Sequence, residues 1–310
     1  MNQRLIGSLS VSEVGLGCNN FGWRLDARDS AAVVQAALDQ GINFFDTADI
    51  YGQGQSEKFL GQALGAGRHA VVIATKFGGA MEGQGKGASP AYIRQAVEAS
   101  LNRLGTDRVD LYQLHYPDPE VPIEDTLGAL DELVEAGKVR ETGCSNFSVA
   151  QLEDAAAAVR GDAVHFVSVQ NEYSLLHREP EEGVLDECER QGLAFLPYFP
   201  LKSGLLTGKY RQGEPPPEGS RITKDGRMAD LLSDRNLAIV EDLIRFAESR
   251  DHTILELAIS WLLARPTVAS VISGATSPRQ VEANSGAAGW QLSEEELAEV
   301  DAIAMQSETR

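Results

Sequence analysis

The chain has 310 residues, 43% hydrophobic and 24% charged, which is ample apolar material for a large core without disulfide or metal staples. Acids outnumber bases 46 to 27, and a net charge of −19 repels a phosphate backbone, which argues against nucleic acid as a partner. The odd trio Cys18, Cys144 and Cys188 has no metal-type spacing, no apolar run is long enough to span a bilayer, and the N-terminus lacks a signal-peptide core, so a soluble cytoplasmic protein is expected.

The first predicted strand is Val14-Gly15-Leu16. Seven further apolar runs follow, at Ile42–Thr47, Val71–Lys76, Val109–His115, Thr142–Phe147, Phe166–Asn171, Leu193–Pro200 and Ser270–Gly274. Continuous apolar runs, rather than strict alternation, suit parallel strands covered by helices. Helical periodicity fills the intervals. In Tyr92–Leu104, residues Ile93, Ala96, Val97, Leu101 and Leu104 share a face, and Ser89-Pro90 supplies a cap and a first-turn proline. Ile123–Lys138 and Ser148–Val159 behave alike, the latter with capping-box spacing from Ser148 to Gln151. Two more patterns, Asp234–Ser249 and Ile254–Ala264, precede the last strand. Capping boxes are expected at Ser277/Gln280 and at Ser293/Glu296, where a final helix runs to about Ile303.

Eight strands, each followed by a helix, make a closed (β/α)8 barrel the expected fold, as one domain over residues 1–310. Asp46, Lys76, His115, Ser145 and Gln170 succeed one another at 25 to 39 residues, one βα unit each. The 74 residues from Phe199 to Ser273 are about two units long and contain the Pro/Gly-rich stretch 212–226, which predicts an insertion in the seventh βα connection. A second Gly-rich loop spans 78–87. A doubly wound sheet uses the same elements in another strand order, which sequence does not state.

In a barrel the active site lies where strands end and loops begin. Polar residues gather there: Asp46, Lys76, His115, Ser145-Asn146, Gln170-Asn171 and Tyr198, with Tyr51 in the loop after Asp46. One such residue can simply cap a helix, but six successive strands ending this way point to chemistry. Tyrosine is a poor acid, with an ordinary pKa of about 10. An ammonium at ~4 Å attracts phenolate by ~4 kcal/mol at an effective dielectric near ~20, enough to lower that pKa by up to ~3. Asp46 would keep Lys76 charged, and His115 would donate a hydrogen bond to a substrate oxygen. Together they can protonate a developing alkoxide, the need of carbonyl reduction by hydride. Metal catalysis competes, but His69, His115, His165, His177 and His252 form no HxH or HExxH pair, and only His115 ends a predicted strand.

FFDTADIYGQGQSEKFLG, ATKFG, DLYQLHYPDP, GKVRETGCSNFS, QNEYS, PYFPLKSGLLTGKY and SGATSPRQVEAN, in this order from Gly15 to about Asn284, resemble the aldo-keto reductase superfamily. The likeness is to the branch of bacterial reductases, aflatoxin-aldehyde reductases and potassium channel β-subunits. The resemblance implies a TIM barrel that binds NADPH, with NADH a weaker donor, and no Rossmann domain; the sequence contains no GxGxxG. It implies a catalytic tetrad of Asp46, Tyr51, Lys76 and His115. By the same likeness Ser145, Asn146 and Gln170 hold the nicotinamide carboxamide, and Tyr198 stacks on its ring. Phe199, Pro200, Leu201, Lys202, Ser203 and Gly204, with Lys209 and Arg221, cross the pyrophosphate. Gly274, Ala275, Thr276, Ser277, Arg279, Gln280 and Asn284 receive the adenosine end, where a helix N-terminus suits a 2′-phosphate. Phe199 stands where many relatives have serine and Ala283 where a glutamate often precedes the asparagine, so two cofactor contacts are missing.

The substrate mouth is expected to include Asn20, Trp23, Phe77 and Tyr116, with the insertion around Arg221 to Met228. Aromatic walls suit an apolar or aromatic carbonyl; Arg24, Lys224 and Arg227 suit an anionic or sugar substrate. The short stretch after the last helix implies an open pocket without a long C-terminal lid. Carbonyl reduction is the expected activity. The alternatives are an NADPH-binding redox sensor acting through a partner, and the same chemistry run toward alcohol or sugar oxidation.

Overall fold

The computed structural model describes residues 1–83, 85–161, 163–224 and 230–305. Its elements, in chain order, are β1 (Gln3–Ile6), β2 (Leu9–Ser12), β3 (Val14–Gly17), α1 (Ala27–Asp39), β4 (Phe44–Asp46), α2 (Gln55–Leu64), β5 (Val72–Phe77) and α3 (Pro90–Leu104). There follow β6 (Val109–Leu114), α4 (Ile123–Glu135), β7 (Val139–Ser145), α5 (Val149–Ala158), β8 (Phe166–Glu172), α6 (Val184–Gln191) and β9 (Ala194–Tyr198). The chain ends with α7 (Arg221–Lys224), α8 (Asp234–Glu248), α9 (Ile254–Leu263), β10 (Val271–Gly274), α10 (Pro278–Gly286) and α11 (Glu294–Met305).

Strands β3 to β9 pair in parallel in sequence order, and β10 lies beside β3. Closure between β9 and β10 uses the residues just ahead of β10: Phe195 N donates to Thr267 O (2.7 Å) and Ala269 N to Phe195 O (3.1 Å). The eight-stranded barrel is therefore the one expected. The connection from β9 to β10 carries α7, α8 and α9, as the long interval predicted. Ser89 caps α3, accepting from Tyr92 N, and the Ser148/Gln151 box closes on α5. At α10 the expectation needs correction. Ser277 caps the helix, accepting from Gln280 N at 3.4 Å, but Gln280 Oε1 accepts from Thr276 N at 2.7 Å rather than from Ser277 N, so the reciprocal half of the box is displaced by one residue.

Strand alternation decides which side chains reach the barrel axis. In β5, Val72 and Ala74 belong to a cluster inside the barrel with Phe44, Leu111 and Leu196, whereas Ile73 and Phe77 pack outward among the helices. Lys76 shares the inward parity. The antiparallel hairpin β1–β2, absent from the sequence reading, adds Ile6, Leu9 and Val11 to the inner cluster and closes its N-terminal end. Among the described residues no helix is long and apolar enough to cross a membrane.

Candidate active site

A cavity of about 1240 Å³ opens at the C-terminal ends of the strands. Asp46, the last residue of β4, and Lys76, on β5, meet at its floor. Lys76 is fully buried and its Nζ lies 2.7 Å from both Asp46 oxygens, donating also to Thr47 O at 2.9 Å. Gln170 Nε2 (2.9 Å) and Gln113 Nε2 (3.4 Å) donate to Asp46 Oδ1 as well. These hydrogen bonds offset the cost of taking the pair out of water.

Tyr51 begins a single 3-10 turn, 51–54, directly ahead of α2. Lys76 Nζ stands 5.2 Å from the centre of its ring, and the His115 ring meets it edge-on with centroids 5.9 Å apart. Burial, followed by the negative charge of Asp46, holds the Tyr51 phenol well above the usual phenol range. This reverses the lowered value expected from a neighbouring ammonium, because burial of the phenol and the Asp46 carboxylate both disfavour phenolate. Burial, then Lys76, push His115 down to about 3, so its imidazole is neutral through the physiological range.

Beside these groups lie Ser145, Asn146 and Gln170. Ser145 Oγ donates to Gln170 O (2.7 Å), and Asn146 Nδ2 donates to Ser145 Oγ (3.1 Å) and to His115 O (3.0 Å). Asn146 is left-handed (φ 61°), a conformation asparagine tolerates better than most residues. The Tyr198 hydroxyl donates to Asn146 Oδ1 at 2.8 Å, which fixes the ring at the cavity wall. Phe199, Pro200, Leu201, Ser203, Gly204 and Lys209 continue that wall. Phe199 (φ 51°), Lys202 (φ 42°) and Ser203 (φ 58°) are left-handed without being glycine, a strain of about 1–3 kcal/mol each that tends to mark ligand-binding segments. Gly204 leaves room for Lys209: a Cβ there would sit 2.8 Å from its Nζ. The far end is lined by Gly274, Thr276, Gln280 and Asn284, with Asn20, Trp23 and Tyr116 also on the lining.

Some expected residues lie elsewhere. Phe77 is fully buried and stacked on Tyr112 in the helix layer, because it follows Lys76 and takes the opposite parity. It is not a pocket residue. Lys202 turns to a carboxylate oxygen of Glu172, and Ala275, Ser277 and Arg279 are not among the lining side chains. The side chains of Arg221 and Lys224, and all of Arg227 and Met228, lie outside the described residues. Conversely, Gly17, Asn19, Leu25, Thr207, Gly219, Ser220, Leu255, Ile272 and Ser273 line the cavity without having been singled out. Gln113 was missed too, although its inward parity, two residues before His115, was a usable signal. Leu255 carried none, since only the folded insertion brings it there.

A cavity of about 1240 Å³ has room for a nicotinamide dinucleotide. Among the described residues, Asn19 Oδ1, Asn20 Oδ1, His115 Nδ1 and Ser273 Oγ are buried on its lining without a hydrogen-bond partner. Buried polar atoms are almost always paired, so these four point to a polar ligand. No cluster of metal-ligating side chains occurs among the described residues.

Known proteins share this architecture. A family model described as the aldo/keto reductase family matches residues 13–305. Aldo-keto reductase YhdN of Bacillus subtilis is 37% identical over 307 residues, 95% of this chain and 90% of its own. A probable voltage-gated potassium channel subunit beta of Arabidopsis thaliana is 36% identical over 89% of this chain and 87% of its own. Among solved structures, a glycerol dehydrogenase of Gluconobacter oxydans superposes with a TM-score of 0.85 at 31% identity, over 99% of this chain and 96% of its own. An aldo-keto reductase of Bacillus halodurans in its holo form gives 0.82 at 32% identity, over 98% and 96%.

Proposed function

The chain belongs to the aldo/keto reductase family of oxidoreductases, and on that premise we propose that it reduces aldehydes or ketones to alcohols with NADPH, Tyr51 acting as general acid. The observation that carries this reading is the Asp46–Lys76 pair beneath Tyr51, with neutral His115 across the same end of the cavity. A dinucleotide bound there would supply the hydride. The raised phenol pKa keeps the Tyr51 proton in place at neutral pH, ready for the oxygen that gains negative charge as the carbonyl is reduced. When that proton leaves, the phenolate faces the Lys76 ammonium, which offsets its charge. Neutral His115 has one ring N–H with which to orient the carbonyl oxygen. Tyr198, tethered to Asn146, presents a fixed aromatic face for the nicotinamide, and Ser145, Asn146 and Gln170 offer the polar atoms its carboxamide needs. Lys209 and the N-terminus of α10 favour the phosphates of NADPH, with NADH the weaker donor.

Tyr51→Phe tests the reading. It removes only the proton donor, so turnover should fall by roughly 10²–10⁴-fold while NADPH binding by fluorescence stays close to wild type. Wild-type-like turnover in this variant would overturn the mechanism. Prior dialysis against EDTA should change neither rate. The Arabidopsis relative's name supports a second reading, a redox sensor that binds the dinucleotide with little turnover; wild-type protein that binds NADPH yet reduces no aldehyde on a broad panel would favour it.

A further inference from the structure

We infer that Arg103 of α3 is a positioning residue for Tyr51: through Glu57 it ties the turn that carries the phenol to the strand that carries Lys76. This deepens the reductase reading and rests on it. Three successive residues of that turn, Gly52 (φ 57°), Gln53 (φ 54°) and Gly54 (φ 86°), are left-handed. Gln53 is not glycine, so the turn is strained at its middle and persists only if its surroundings hold it.

Arg103 supplies that hold. Its side chain takes the space a Cβ on Gly54 would need: that atom would fall 2.6 Å from Arg103 Cδ and 2.9 Å from its Nε. Arg103 Nε donates to Glu57 Oε2 at 2.6 Å, and its Nη2 donates to Ser100 Oγ at 3.1 Å. Glu57, fully buried in the first turn of α2, accepts at its other oxygen from the Thr75 hydroxyl, at 2.6 Å. Thr75 immediately precedes Lys76 in β5, so one carboxylate joins the two elements whose residues must meet at the site. The base is firm. Helix α2 meets α3 at Gly61, where a Cβ would fall 2.2 Å from the carbonyl oxygen of Leu104, the residue after Arg103.

Geometry sets how much such a residue matters. Lys76 Nζ stands 5.2 Å from the centre of the Tyr51 ring. Moving the phenol by about 1 Å, through a change well away from the reacting atoms, can cost about 100-fold in rate. Tyr51 lines the cavity, whereas Arg103 and Glu57 do not. Loss of Arg103 should therefore slow proton transfer and spare the binding of dinucleotide and aldehyde.

The test follows single-turnover oxidation of NADPH by the best-reduced aldehyde of a broad panel, with urea unfolding alongside. It uses wild type, Arg103→Met and the double variant Arg103→Met/Glu57→Gln. Arg103→Met leaves the Glu57 carboxylate buried and unpaired, so its urea midpoint should fall; the double variant removes both charges and should recover most of that loss. The single-turnover rate should drop roughly 10- to 100-fold in both variants, with the KM for aldehyde and the fluorescence Kd for NADPH close to wild type. A rate that recovers together with the midpoint, a rate unchanged in both variants, or a loss expressed in KM or Kd overturns the inference, because Arg103 then only fastens α3 to α2. The reductase reading survives that result if Tyr51→Phe still abolishes turnover. Absence of turnover by wild type with every aldehyde on the panel overturns both.

Discussion

At the N-terminal end of the barrel the inward positions hold Phe44, Val72, Leu111 and Leu196, sealed from water by Ile6, Leu9 and Val11 of the hairpin. Two to four residues further along the same strands, the inward positions hold Asp46, Lys76, Gln113 and Tyr198. The first end is held by burial of apolar surface, which is non-directional. The second is held by directed bonds: one ammonium, one carboxylate and two amides, all in contact. A change of residue class along an alternating strand thus turns core into site. The apolar end tolerates imperfect packing gradually, whereas the polar end fails when a single partner is lost.

Lys76→Met tests that contrast most severely. It leaves Asp46 buried without its counter-charge, so the expected cost is about 3–5 kcal/mol of stability together with loss of carbonyl reduction. Leu9→Ala, at the opposite end, should cost about 2–5 kcal/mol with kcat and KM unchanged in the protein that remains folded. Urea unfolding and steady-state kinetics on both variants read the two effects separately. Altered KM in Leu9→Ala would show that the ends are coupled and the contrast too sharp.

Much of this was legible in the sequence. Asp46, Lys76 and His115 stood at strand ends where an apolar residue would be the default, and their spacing gave the barrel. Phe77 shows where the reading failed: adjacency to Lys76 suggested the pocket, but one residue along a strand is the opposite face. The hairpin escaped because its two strands have four residues each, too short for a periodic signal. The direction of the Tyr51 shift needed coordinates, since it depends first on how deeply the phenol is buried.

The subtlest expected effect comes from two buried groups beside the site that titrate against each other. Asp49, three residues after Asp46, is almost fully buried; its Oδ1 accepts from Ile50 N at 2.6 Å while its Oδ2 has no partner. Burial, then the nearby Glu57 carboxylate, push it up to about 7, against weaker opposition from Arg103 of α3 and Lys76 of β5; the Tyr92 and Tyr112 phenols are also close enough to feel its charge. The folded chain therefore holds a proton on Asp49 that the unfolded chain releases near pH ~4, so stability falls as pH rises from ~4 to ~7. His115 acts oppositely. Its folded value of about 3 lies below the ordinary ~6.5, so stability falls as pH drops from ~6.5 toward 3. Each slope reaches about 1.4 kcal/mol per pH unit, and between pH ~4 and ~6.5 they nearly cancel. Asp49→Asn keeps the shape and removes one of the two. Urea unfolding across this range should then show stability climbing with pH more steeply in the variant than in wild type. Parallel profiles would mean that Asp49 is already ionised in the folded chain, and that the polar end of the barrel accommodates a second buried carboxylate as readily as it does Asp46.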